Sequence, residues 1–160
     1  MNRRNLEEIE RSIDEFRALV SHADATAPSV SEWSVGMHIH HCCLSMIGIS
    51  KSLRKSTPPM PRAKPSLART IVVKFGFIPR GRAQSPSFVV PQPAMAQTEL
   101  AALLDTSREL LGVAKTLDPG TWFGHPLLGT MRRDDAFAFV RVHNRHHLRI
   151  VADILRAVRS

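Results

Sequence analysis

Between Phe137 and Val158 apolar side chains return at every third or fourth position, through Val140, Leu148, Val151, Ile154 and Leu155. That period places them in one stripe along one helix, predicted over about residues 133–158, and the stripe must be buried against something. Asp134 and Asp135 in its first turn and Arg156 and Arg159 near its end suit the helix dipole. The same period recurs three times. Leu6, Ile9, Ile13, Phe16 and Val20 predict a helix over 3–20. Ser34 is a good N-cap for a second helix running to about Leu53. Met95, Leu100, Leu103, Leu104, Leu110 and Leu111 predict a third over about 95–116. Four such stripes satisfy one another in an all-α four-helix bundle. The 160 residues suit one domain spanning 1–160.

The connection between the second and third helices is a long proline-rich crossover, roughly 56–94, with Pro58, Pro59, Pro61, Pro65, Pro79, Pro86, Pro91 and Pro93. Within it, RTIVVKFGFIP reads as one helical turn or an extended piece. Its β-branched residues favour a strand, although no second strand pairs with it convincingly. Ile71, Val72, Phe75, Phe77, Phe88 and Val89 need something to pack on, so the segment is expected to be ordered and to close over a site. The later connection LDPGTWFGHPLLGTMRRD is rich in glycine, with two prolines.

Composition excludes several classes. The two cysteines, Cys42 and Cys43, are adjacent and point about 100° apart on a helix, so they form no structural disulfide and fit a reducing compartment. They are expected to be packed small hydrophobes. The N-terminus lacks a secretory h-region and no apolar run approaches a membrane span, which makes the cytoplasm the expected location and a membrane partner unexpected. The formal charge is +8. From Trp33 to Thr98 no acidic residue occurs while nine basic ones do. No aromatics alternate with them as a single-strand binder would need, so an anionic small molecule or a solvated basic face is favoured over nucleic acid.

The histidines carry the chemistry. His143 and His147 are four apart, inside the last apolar stripe. Arg141, Arg145 and Arg149 point away from it, and His146 sits at its edge. On the second helix Met37, His38, His41, Leu44, Ser45, Gly48 and Ser52 share a face on which His41 is central, while His40 points elsewhere, toward solvent. A histidine from the second helix facing the pair on the fourth puts three imidazoles in one cavity. Three imidazoles and a water make a tetrahedral site for zinc, or part of an octahedron for nickel or iron. The competing reading is a hydrogen-bonded histidine cluster in the core. A zincin-type protease is unsupported, since no HExxH occurs, and a di-metal carboxylate site lacks its glutamates. Asn144 has a place near the site or at a helix interface. His125 either lines the cavity mouth or caps the fourth helix. Trp33 and Trp122 read as core or capping residues.

WSVGMHIHHC from Trp33, His125-Pro126-Leu127-Leu128-Gly129, and His143, His146, His147 and Leu148 come in the order W-S-x-G-x-x-x-x-H-C, H-P-x-x-G, H-x-x-H-H-L. The chain thereby resembles the DinB/YfiT-like superfamily of metal-dependent enzymes, and most closely a branch of that superfamily without an assigned reaction. The resemblance implies one ligand from helix two at His41 and a pair from helix four at His143 and His147, with His146 supporting them; His38, Asn144 and His125 are candidates for the cavity around them from their positions alone. It implies one divalent metal per chain, zinc or nickel, activating a low-molecular-weight thiol for transfer or isomerisation, and a homodimer. A glutamine that many relatives carry just after the histidine doublet is absent here, where Arg149 and Ile150 stand. Two function classes are compatible with the residues: a metalloenzyme, thiol transferase or hydrolase-like, and a metal-stabilised bundle with a binding or stress-related role and no turnover.

Overall fold

The computed structural model describes residues 3–62, 66–80 and 86–159. Lys64, Pro65 and Arg82, counted above among the crossover's prolines and basic residues, lie outside the described residues. The main elements are α1 (Arg3–Ala18), α2 (Val35–Lys55), a short α3 (Leu67–Arg69) continuing into a π turn at Thr70–Lys74, α4 (Gln97–Ala114), β1 (Trp122–His125), β2 (Gly129–Arg132) and α5 (Arg133–Arg159). Single 3-10 turns follow α1 at Val20–His22 and precede α4 at Ser87–Val89.

The long helices form the expected bundle. α2 packs on α4 and α5, and α1 packs on α5 and α4. Ile9, Ile13 and Phe16 of α1 meet Ile39, Met46 and Leu53 of α2, Leu100 and Leu104 of α4, and Phe137, Val140, Val151 and Ile154 of α5 in one core. Burying each such side chain contributes roughly 1.5–3 kcal/mol. α2 is the central helix, buried on nearly every side over its first three turns. Its weak amphipathic pattern follows from that position, because a surrounded helix has no polar face to show.

The start of α2 is fixed locally. The Ser34 hydroxyl accepts from the Met37 N–H, capping the helix. The Gly36 N–H donates to the Ala23 carbonyl at 2.8 Å. A Cβ at Gly36 would stand 3.0 Å from the Ala23 Cβ, so the glycine lets this loop pass close to the helix. At α4 the Glu99 carboxylate reaches back to accept from the Ala96 N–H, closing the first turn.

Three expectations are corrected. First, the fold is predominantly rather than wholly helical. The glycine-rich connection contains an antiparallel β-hairpin, in which Trp122 pairs with Arg132 and His125 with Gly129. Gly129 takes φ +74°, which suits glycine in the turn. Second, the strand preference of the β-branched run is not expressed: of the two readings left open, Thr70–Lys74 takes the helical one. Without a neighbouring strand its β propensity has nothing to act on. Third, of the apolar residues expected to pack there, Val72 and Val89 are buried, whereas Phe75, Phe77 and Phe88 are well exposed.

Candidate metal centre

Each face of the site is assembled by a different element. His38 and His41 lie one turn apart on α2, and His143 and His147 one turn apart on α5. α2 and α5 are packed together. The consequence is that one ring nitrogen from each of His41, His143 and His147 lies within 4.8 Å of the others. The Nε2 atoms of His41 and His143 are 3.0 Å apart. His41 and His147 are buried and His143 is partly exposed.

Hydrogen bonds to the far side of these rings orient them. His41 Nδ1–H donates to the Val89 carbonyl at 2.7 Å. That bond leaves the lone pair on Nε2, the nitrogen facing His143. His38 Nδ1 and His147 Nδ1 are 2.9 Å apart, and His38 Nε2 is 3.1 Å from the Ser31 hydroxyl. The same hydroxyl accepts from the Trp33 N–H. Protons can be assigned consistently along this chain: His38 Nε2–H donates to Ser31, His147 Nδ1–H donates to His38, and Nε2 of His147 keeps a lone pair. Ligand histidines in metal sites are held in this way, by a carbonyl or polar partner on the second nitrogen. The Trp33 indole packs on three of the rings, with centroids 5.3 Å from His38, 5.1 Å from His41 and 6.3 Å from His147.

Burial keeps the cluster neutral. Desolvation is the largest cause throughout, with the neighbouring imidazoles adding to it. It lowers His38 to about 4 and pushes His143 and His147 well below the ordinary histidine value. His41 is also lowered, partly offset by its bond to Val89. Neutral imidazole is the form that ligates a metal. The residues therefore suit a divalent ion: three neutral nitrogen donors converge, two of them oriented from behind, and no carboxylate is among them. The two thiols are not candidates for the same role. Both are buried, and burial raises Cys42 far above the usual thiol range and Cys43 to about 12.

The other histidines take different places. His146 stacks edge-on against His147, with centroids 5.1 Å apart, and hydrogen-bonds the Ile78 backbone. Asn144 faces the helix interface, donating to Ser12 and to the Met46 sulfur. His125 Nδ1 accepts from the Leu127 and Leu128 N–H groups, so it caps the hairpin turn; its ring packs edge-on against Phe139, which in turn contacts His143. His40, expected at the surface, is buried, and its Nδ1 accepts from the Gln92 N–H. Adjacent histidines of α2 thus hold the 89–92 segment over the helix. The sequence reading missed Ser31 and the Val89 carbonyl entirely. Trp33, read as a core or capping residue, packs on three of the histidines, and the indole's position one to two turns before His38 and His41 was a usable signal.

A candidate histidine-based metal site therefore exists in a helical bundle. Among the described residues no helix is long and apolar enough to cross a membrane. No curated protein matches the chain, and neither does a solved structure. The family model described as a protein of unknown function, DUF1569, matches residues 1–154, and the chain belongs to that family.

Proposed function

We propose that this protein is a divalent-metal-dependent enzyme in which His41, His143 and His147 hold one zinc or nickel ion per chain. The observation that carries the reading is the convergence of three neutral imidazoles within 4.8 Å, two of them, His41 and His147, backed by hydrogen bonds on their outer nitrogens. When bound, such an ion supplies Lewis acidity, lowering the pKa of a coordinated thiol or water. The chain's own part is positional. The Val89 carbonyl fixes the His41 ring, and the Ser31–His38 pair fixes His147. Trp33 covers the cluster and limits water around it. No serine or cysteine of the chain is required as a nucleophile.

The substrate proposed is a low-molecular-weight thiol, which loses its S–H proton to solvent and forms a sulfur–carbon bond at an electrophilic carbon. The bond to that carbon's leaving group breaks as this bond forms, and the leaving group departs with the electron pair. The motif resemblance to DinB/YfiT-like enzymes supports this finer reading, together with the partial exposure of His143, which leaves one side of the cluster approachable. Protein loaded with cobalt(II) and titrated with glutathione or cysteine is expected to develop a sulfur-to-metal charge-transfer band in the near ultraviolet. A spectrum unchanged by any thiol, in protein that holds cobalt, would favour the second reading, a metal-stabilised bundle without turnover. The burial of His41 and His147 is the observation in favour of that alternative.

We also propose a single domain over 1–160, a cytoplasmic setting and a homodimer. Exposed Leu67, Phe75, Phe77 and Phe88 on one connecting segment support the dimer, since exposed apolar groups of this size mark contact surfaces. Light scattering at micromolar concentration is expected to give twice the chain mass of 17.8 kDa. A mass of one chain would remove the dimer.

A further inference from the structure

Away from the histidine triad, the flank of α5 concentrates positive charge around a concavity. A cavity of about 250 Å³ opens there, lined by Arg80, Arg141, Arg145, Arg149 and His146. Phe77, Ile78 and Val142 supply an apolar wall. Arg141, Arg145 and Arg149 are four apart in sequence, so their stems share one helix face, an arrangement that repels itself unless an anion lies among the charges.

The counter-charges within the fold fall short. Glu8 takes a hydrogen bond from Arg141 at 3.4 Å and lies 3.9 Å from Arg145, but it also accepts from Arg4 at 2.8 Å. Asp153 pairs with Arg80 at 2.8 Å and is shared with Arg156. Four guanidiniums at the cavity thus face two carboxylates, each divided with an outside arginine. Arg149 has no ion-pair partner among the described residues. The Nε of Arg141 is buried and lacks an acceptor among them. A buried donor without a partner is rare in folded proteins and points to an acceptor supplied from outside. Planar guanidinium forks match the oxygens of a tetrahedral oxyanion in pairs.

We propose that this cavity binds the phosphate group of a small organic phosphate monoester. The dianion answers the two uncompensated charges, and its oxygens can accept from several forks at once. The wall of Phe77, Ile78 and Val142 takes the ester's carbon portion. The volume suits a small molecule and not a nucleic-acid strand, which needs an open track. His146 forms the boundary with the metal cluster through its contact with His147, yet the phosphate site stands independently of any metal.

Calorimetric titration of chelator-treated protein tests it, with phenyl phosphate, inorganic phosphate and succinate at constant ionic strength. Phenyl phosphate is expected to bind one per chain, more tightly than inorganic phosphate and far more tightly than succinate. Arg145→Gln and Arg149→Gln replace exposed side chains, so the fold should survive, which circular dichroism checks. Each should weaken phenyl phosphate by about tenfold, the usual scale of a hydrogen bond to a charged group. Arg54→Gln, at the exposed end of α2, should leave it unchanged. Affinity that ignores both cavity substitutions would overturn the site, as would a DNA duplex competing at equal strength. Binding that returns only when metal is restored would place the oxyanion on the metal, removing this site while leaving the metal reading intact.

Discussion

Replacing His147 with alanine is expected to strip the protein of most of its metal. Wild-type protein purified without a histidine tag should carry about one divalent ion per chain by elemental analysis, because three neutral imidazoles form a competent donor set. The variant keeps His41 and His143, and two imidazoles hold zinc poorly against buffer. Even the loss of an outer hydrogen-bond partner costs 10–100-fold in metal affinity, so the loss of a ligand should cost roughly a hundredfold or more. His22→Ala is the proper control, since His22 is exposed. His40→Ala is not a neutral control, because His40 is buried and holds the Gln92 N–H. Retained helical circular dichroism in the variant would separate ligand loss from unfolding. Undiminished metal after substitution of all three histidines would refute the site. Protein that contains no metal and takes none up would leave the cluster a hydrogen-bonded core.

The second large effect is acid unfolding of the metal-free protein between about pH 6.5 and pH 4. The folded state holds His38 neutral down to about pH 4, against an ordinary value of 6.5. His125 is likewise lowered to about 4 by burial, and His41, His143 and His147 are lowered by burial first. Below 6.5 the unfolded chain binds protons that the folded chain refuses, so the stability present above that value drains away as pH falls. His38 alone accounts for roughly 3 kcal/mol across this window, a large share of the 5–15 kcal/mol typical of a domain. Urea midpoints measured on chelator-treated protein at pH 7, 6, 5 and 4 should fall steeply, well before the salt-bridged carboxylates Glu8 and Asp153 titrate, since their partners hold both below the usual range. A midpoint that stays level from pH 7 to 4.5 would show that these rings are not held neutral. Added metal should raise the midpoint at pH 7 and lose that benefit in acid, because protonation competes for the same lone pairs.

The sequence by itself determined the four long helices and the three histidines that meet between two of them. Both rest on local quantities. Three-and-four spacing is a property of one helix, and so is the stacking of His143 over His147. Placing His41 opposite them needed only the rule that apolar faces turn inward. The limits of that rule appear on α2. It is surrounded by neighbours, so helical phase could not tell that His40 would be covered by Gln92. The connecting segments were less legible still. Each strand of the hairpin is only four residues long, and pairing with its partner defines it more than its own composition does. Thr70–Lys74 turned helical because β-branched residues need an adjacent strand to express their preference. Tertiary structure alone decided which atom stands behind each ring. Val89 is 48 residues from His41, and His38 is 109 from His147, and no local pattern records a contact at such separation. The same holds for the arginine cavity. Arg141, Arg145 and Arg149 read as a solvated face until the 76–80 segment packs against that face, because a concavity belongs to two surfaces and a sequence pattern describes only one.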